Sequence, residues 1–224
     1  MIICKCGDAA TLPQTGAARC GIDFGMINIM AFVKLDDLPT VGSSTPTALA
    51  LLTNIVDKSN WVEAITAGKV SMSPMVTSPT GTSGEPITWG GGDVSETEEV
   101  LDYENYGFEC DLPHIRPSVA KAIDELRCLA QQKNLGVYYF TTKGYIIGKS
   151  GSTTASGDSC MPISVDSLSL GDRTFGNKTA PDLHHLNMGL PAGWTFDIQE
   201  AIMSKVGGND QTWRGLDLLG QGNE

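Results

Sequence analysis

No apolar run in this chain approaches the roughly 20 residues that a membrane-spanning helix needs, so none is expected. Cations are scarce: 15 Lys and Arg stand against 26 Asp and Glu, for a formal net charge of −11 at pH 7. That balance repels nucleic-acid phosphates and anionic membranes, and it argues against a sequence-reading nucleic-acid binder. A basic leader followed by a hydrophobic segment is also missing. Met1-Ile-Ile-Cys-Lys-Cys starts apolar and stops, so synthesis in the cytoplasm without an export signal is expected. Paired Cys-x-x-Cys knuckles are absent too. Cys4 and Cys6 with the distant Cys20 make only a fragment of a zinc pattern, and Cys110, Cys128 and Cys160 are scattered through expected loop, helix and loop. Reduced thiols and no metal or other cofactor follow from this, and Cys128 reads as a small buried hydrophobe on a helix. There is no internal repeat.

What is present suffices for a core. The 224 residues, 41% of them hydrophobic, are read as one β-rich domain over 1–224 with long loops at 77–92 and 149–160. The best-organised stretch begins at Pro117, a residue suited to a first helical turn. Val119, Ala122, Ile123, Leu126, Leu129 and Ala130 recur at spacings of three and four, which predicts an amphipathic helix to about Asn134. Leu135-Gly-Val-Tyr-Tyr-Phe-Thr and Tyr145-Ile-Ile-Gly then predict a hairpin turning at Lys143-Gly144.

The remaining elements are shorter. A strand is expected within 21–35, a helix from Thr45-Pro46 through Val56, a helical turn from Trp61 to Ala67 ending at Gly68, and a strand from Val70. Residues 77–92, rich in Ser, Thr, Gly and Pro, read as an exposed loop in which Ile87 and Trp89 are apolar anchors for an interface. Ile163-Ser-Val-Asp-Ser-Leu-Ser-Leu alternates between apolar and polar residues and reads as one strand. Strands are expected at 183–190 and 194–198, and a closing helix at 199–206. The order implies an α+β fold: a predominantly antiparallel β-sandwich or barrel with a flanking helix at about 117–134.

Catalytic patterns fail one by one. Gly148-Lys149-Ser150 ends like a phosphate loop, yet Lys143 stands where the first glycine belongs and a Ser/Thr/Gly stretch replaces the helix. His184 and His185 would point to opposite faces of a strand and cannot share a metal; His114 is a third candidate base with no recognisable nucleophile. Hydrogen-bonded structural histidines are the expectation.

The chemical feature that stands out is acidic. Asp93, Glu96, Glu98, Glu99, Asp102, Glu104, Glu109 and Asp111 follow one another with no Lys or Arg among them. The Asp-x-Asp-x-Asp-Gly spacing of a calcium loop is absent. A solvated acidic face, a carboxylate-dependent hydrolase built on 93–111, and a surface that repels a passing polyanion are the three readings of it.

The helix at 117–134, the hairpin at 135–148, the soft loops and the acidic bias together resemble the tail-tube and related tail proteins of bacteriophages. The resemblance implies a non-enzymatic virion subunit, assembled in the host cytoplasm into homomeric rings stacked as a tube. Its partners would be further copies of itself, other virion proteins, and DNA passing without specific binding. It also implies that Glu96, Glu98, Glu99, Asp102 and Glu104 line a lumen. A capsid or head-to-tail joining protein shares most of these features, and the hydrolase is the alternative from a different class.

Overall fold

A computed structural model describes residues 27–37, 55–90, 98–142, 144–151, 159–177, 179–202, 205–206 and 209–210. At its centre lies Leu135–Thr141 (β7), buried at every position. A strand covered on both faces needs apolar side chains of both parities, which accounts for the unbroken Val-Tyr-Tyr-Phe. One edge of β7 pairs antiparallel with Ile27–Lys34 (β1), which pairs in turn with Val70–Met72 (β2). On the other edge β7 meets Tyr145–Gly151 (β8), whose outer neighbour is Ile198–Ile202 (β13).

The β7–β8 hairpin then opens like a fork. Ser159–Met161 (β9) pairs with β8 while Ile163–Val165 (β10) pairs with β7, so one continuous segment fills the splay. Gly148 permits the approach: a Cβ there would lie 2.5 Å from the Met161 carbonyl oxygen and 2.6 Å from Cys160 Sγ.

A second antiparallel sheet has the order Ser167–Leu170 (β11), Leu183–Leu190 (β12), Tyr106–Pro113 (β6), Thr77–Thr82 (β3). Its inner residues Phe108, Cys110, Leu112, Leu186 and Met188 meet Met30, Phe32, Val137 and Tyr139 of the large sheet. Pro117–Gln131 (α2) joins this layer through Ile123, Leu126 and Ala130. The opposite parity of the large sheet, Ile29, Ala31, Tyr138 and Phe140, is covered by Lys58–Thr66 (α1). Trp61 of α1 stands edge-on to Tyr138 and Phe140 at 5.5 and 5.0 Å, and its indole nitrogen donates to the Ile55 carbonyl at 2.8 Å. The protein is thus a two-sheet α+β sandwich rather than a closed barrel, with a helix against each face of the large sheet.

Several expectations change. Residues 77–89 are mostly exposed, but Thr77–Thr82 and Pro86–Gly90 (β4) are paired strands instead of a loop; 91 and 92 lie outside the described residues. The ends of the 149–160 stretch are also strand, Lys149–Gly151 pairing with Ser159–Met161; residues 152–158 lie outside the described residues. The strand expected over 163–170 is two strands in two sheets, because consecutive polar residues Asp166-Ser167 shift the phase of the buried positions. Trp194–Asp197 is a 3₁₀ turn that buries Trp194 against Tyr106, and the closing helix is instead the edge strand β13, paired along one side with β8. The helix expected at 45–56 falls almost wholly outside the described residues.

Replacing Trp61 with Ala should cost about 3–5 kcal/mol, read as a fall in the urea midpoint, because it empties the space between α1 and the large sheet. Tyr139→Phe should cost nothing measurable, since the Tyr139 hydroxyl is buried without a hydrogen-bond partner among the described residues.

Candidate functional site

The strands β3 and β4 on one side, and Glu98–Tyr103 (β5) and β6 on the other, are two halves of one long hairpin. Pairing runs from Thr77 opposite Asp111 to Thr82 opposite Gly107 within the small sheet. The Glu104 amide then donates to the Glu85 carbonyl at 2.9 Å, and pairing resumes from Pro86 opposite Tyr103 to Gly90 opposite Glu98. Gly84 belongs at this junction because a Cβ would overlap the Glu104 carbonyl. Beyond Thr82 the ribbon leaves the sheet and extends about 26 Å at 3.3 Å per residue. Among the described residues no third strand pairs with β4 or β5.

This arm carries apolar surface that the body does not cover. Five large hydrophobic residues are exposed among those described, and three of them, Ile87 at 46%, Trp89 at 57% and Val100 at 50%, lie on the arm. Ile87 is the register partner of Asp102 and Trp89 that of Glu99, with a bulge between Ile87 and Thr88. From Thr77 to Asp111 the chain has no Lys or Arg, so the anchors sit on a ribbon of one charge sign. Of the carboxylates expected at a lumen, Glu98, Glu99 and Asp102 belong to β5 and Glu104 follows it; Asp102 and Glu104 are exposed. Glu96 lies outside the described residues.

A second polar cluster occupies the outer face of the small sheet. His185 stands opposite Asp111, and Asn187 opposite Glu109. The imidazole is bracketed, with Nδ1 3.0 Å from Asp111 Oδ1 and Nε2 3.5 Å from Glu109 Oε2, while Asn187 Nδ2 donates to Glu109 Oε1 at 3.3 Å. The hydrogen bond to Asp111 outweighs an opposing desolvation effect and, aided by the charges of Asp111 and Glu109, raises the His185 pKa above its usual 6.5. Both ring nitrogens face acceptors, so the protonated ring donates twice and offers no lone pair for general-base work.

The other chemical candidates are kept apart. His184 is on the opposite parity of β12, its Nδ1 3.0 Å from the Gly171 carbonyl, and the His114 amide donates to the Asp182 carbonyl. Cys110 and Cys160 are buried strand residues rather than loop residues, and burial pushes both thiols up to about 12, too high for a nucleophile. Cys128 is exposed, a correction to its expected burial: the face of α2 that packs carries Ile123, Leu126 and Ala130, and Cys128 points away. Lys149 and Ser150 are strand residues of β8. Among the described residues no group of three potential ligands could hold a metal ion; Cys4, Cys6 and Cys20 lie outside them.

Compared with protein-family models and with curated proteins, the sequence matches none.

A proton NMR titration should place His185 above 6.5, and Asp111→Asn should bring it down. Because the folded-state pKa is raised, the trio stabilises the fold fully below pH 6.5 and loses that contribution as pH climbs through the His185 pKa. Asp111→Asn should therefore flatten stability against pH in that window.

Proposed function

We propose that this chain is a non-enzymatic structural subunit that self-assembles through its hairpin arm into homomeric rings, in the manner of tail-tube and related virion proteins. The observation that carries this reading is the arm itself: a two-stranded ribbon with Ile87, Trp89 and Val100 exposed, to which no third strand pairs among the described residues. An isolated hairpin is marginally stable, and an unprotected edge invites pairing with another chain. Burial against a neighbouring subunit removes both liabilities at once. The two-sheet sandwich with its flanking helices suits a repeated wall element, and the net charge of −11 suits a wall that passing DNA does not stick to.

In this reading Asp102 and Glu99 go to the subunit contact, and a lumen position stays proposed for Glu98 and Glu104. Asp102 and Glu99 are register partners of Ile87 and Trp89, and a residue beside an apolar anchor goes where the anchor goes. A hydrolase built on the same segment would need its carboxylates set around a cleft that holds the substrate, whereas Asp102 and Glu104 are exposed on the ribbon.

Negative-stain electron microscopy and light scattering should show a large symmetric particle or polymer for the native protein. Monodisperse single subunits across salt and concentration would overturn the reading. Trp89→Ala should weaken association about 30-fold, the equivalent of a 2 kcal/mol hot spot, with the far- and near-ultraviolet spectra of the fold retained.

A further inference from the structure

At the root of the arm, where β3 begins and β6 ends, lies a pocket of about 220 Å³. Pro74, Met75, Pro113 and Ile115 give it apolar walls, and His114 and Arg116 are exposed beside them. It is smaller than the roughly 300–1,000 Å³ of small-molecule sites, which suits a single large side chain better than a cofactor. Met75 itself is 50% exposed, so apolar surface is left open there as well as on the arm.

Charge sets the polarity of the match. Among the described residues no carboxylate lies within ion-pairing distance of Arg116, whose charge is permanent. The nearby Asp182 is already engaged by Arg173 and by the Gly176 amide. The arm offers the complement: Trp89 and Ile87 with Glu99 and Asp102 as register partners, on a ribbon without a cation.

Geometry makes the contact intermolecular. Pocket and anchor lie at opposite ends of one extended ribbon, about 40 Å apart from Thr77 to Trp89 at 3.3 Å per residue. A paired ribbon does not fold back on its own root. We infer that the arm of one copy docks into the root pocket of a second copy, Trp89 entering the apolar walls and the arm carboxylates facing Arg116. This rests on the self-assembly proposed above and gives it a direction. Two different surfaces meet, so the contact is heterologous and propagates until a ring closes.

The test uses one arm variant, Trp89→Ala, and two pocket variants, Arg116→Glu and Met75→Asp, both at exposed positions and each checked for native circular dichroism. At a concentration only a few-fold above that needed for native assembly, analytical ultracentrifugation should find the native protein assembled and each variant alone as single subunits. Trp89→Ala mixed with either pocket variant should form a one-to-one pair and nothing larger, because one partner supplies the only intact pocket and the other the only intact arm. Mixing Arg116→Glu with Met75→Asp should give no pair. A native protein that stays monomeric overturns the assembly reading and this inference together. An assembled native protein whose folded pocket variants also assemble overturns the pocket alone. Failure of the arm and pocket variants to pair when mixed overturns the head-to-tail contact.

Discussion

The fold depends on the complete enclosure of β7. Its side chains are buried on both faces, its backbone is paired to β1 along one edge, and β8 and β10 share the other. Everything else is arranged to satisfy that strand. Trp61 and α1 cover Tyr138 and Phe140, while the small sheet and α2 cover Val137 and Tyr139. The fork in the hairpin follows from the same demand: where β8 diverges, β10 takes over its pairing, so the buried amides and carbonyls of β7 keep partners.

The small sheet is subject to a weaker constraint. Only its inner face is buried, and the outer face holds water-compatible groups such as His185, Asn187, Glu109 and Asp111. Its edge strand β3 is free to continue past the body with β6 as companion. The arm is therefore anchored in a stable core yet owes little of its own stability to that core. Such a segment is suited to a surface that acquires its partner from another molecule.

The β7 strand was legible because it leaves a compositional mark: the unbroken run Val137–Phe140, preceded by a helix with a three-and-four periodicity and a Pro at its start; its enclosure on both faces depends on the second sheet and α1. The 183–190 strand was legible from its alternating inward residues. The arm was not, because Thr, Ser, Gly and Pro carry no hydrophobic period when both faces of a ribbon are wet, and the same residues serve loops. The division of 163–170 is marked in the sequence by Asp166 and Ser167, two consecutive polar residues. The anchors Ile87 and Trp89 stood out as apolar residues in a polar stretch, but their pairing with Asp102 and Glu99 depends on a bulge that composition does not reveal. The root pocket was hidden for a different reason. It joins residues 74–75 to 113–116, and a contact across that span of chain exists only once β3 and β6 are in register.

The central claim is that the arm completes its structure on another copy. Hydrogen–deuterium exchange measured on the same protein when dilute and when concentrated tests it most directly. The amides of Ile87–Gly90 and Glu98–Tyr103 should exchange rapidly in the dilute subunit and gain protection on concentration, while those of β7 remain slow in both. Arm exchange that is independent of concentration, in a sample whose mass shows that it has assembled, would contradict the account.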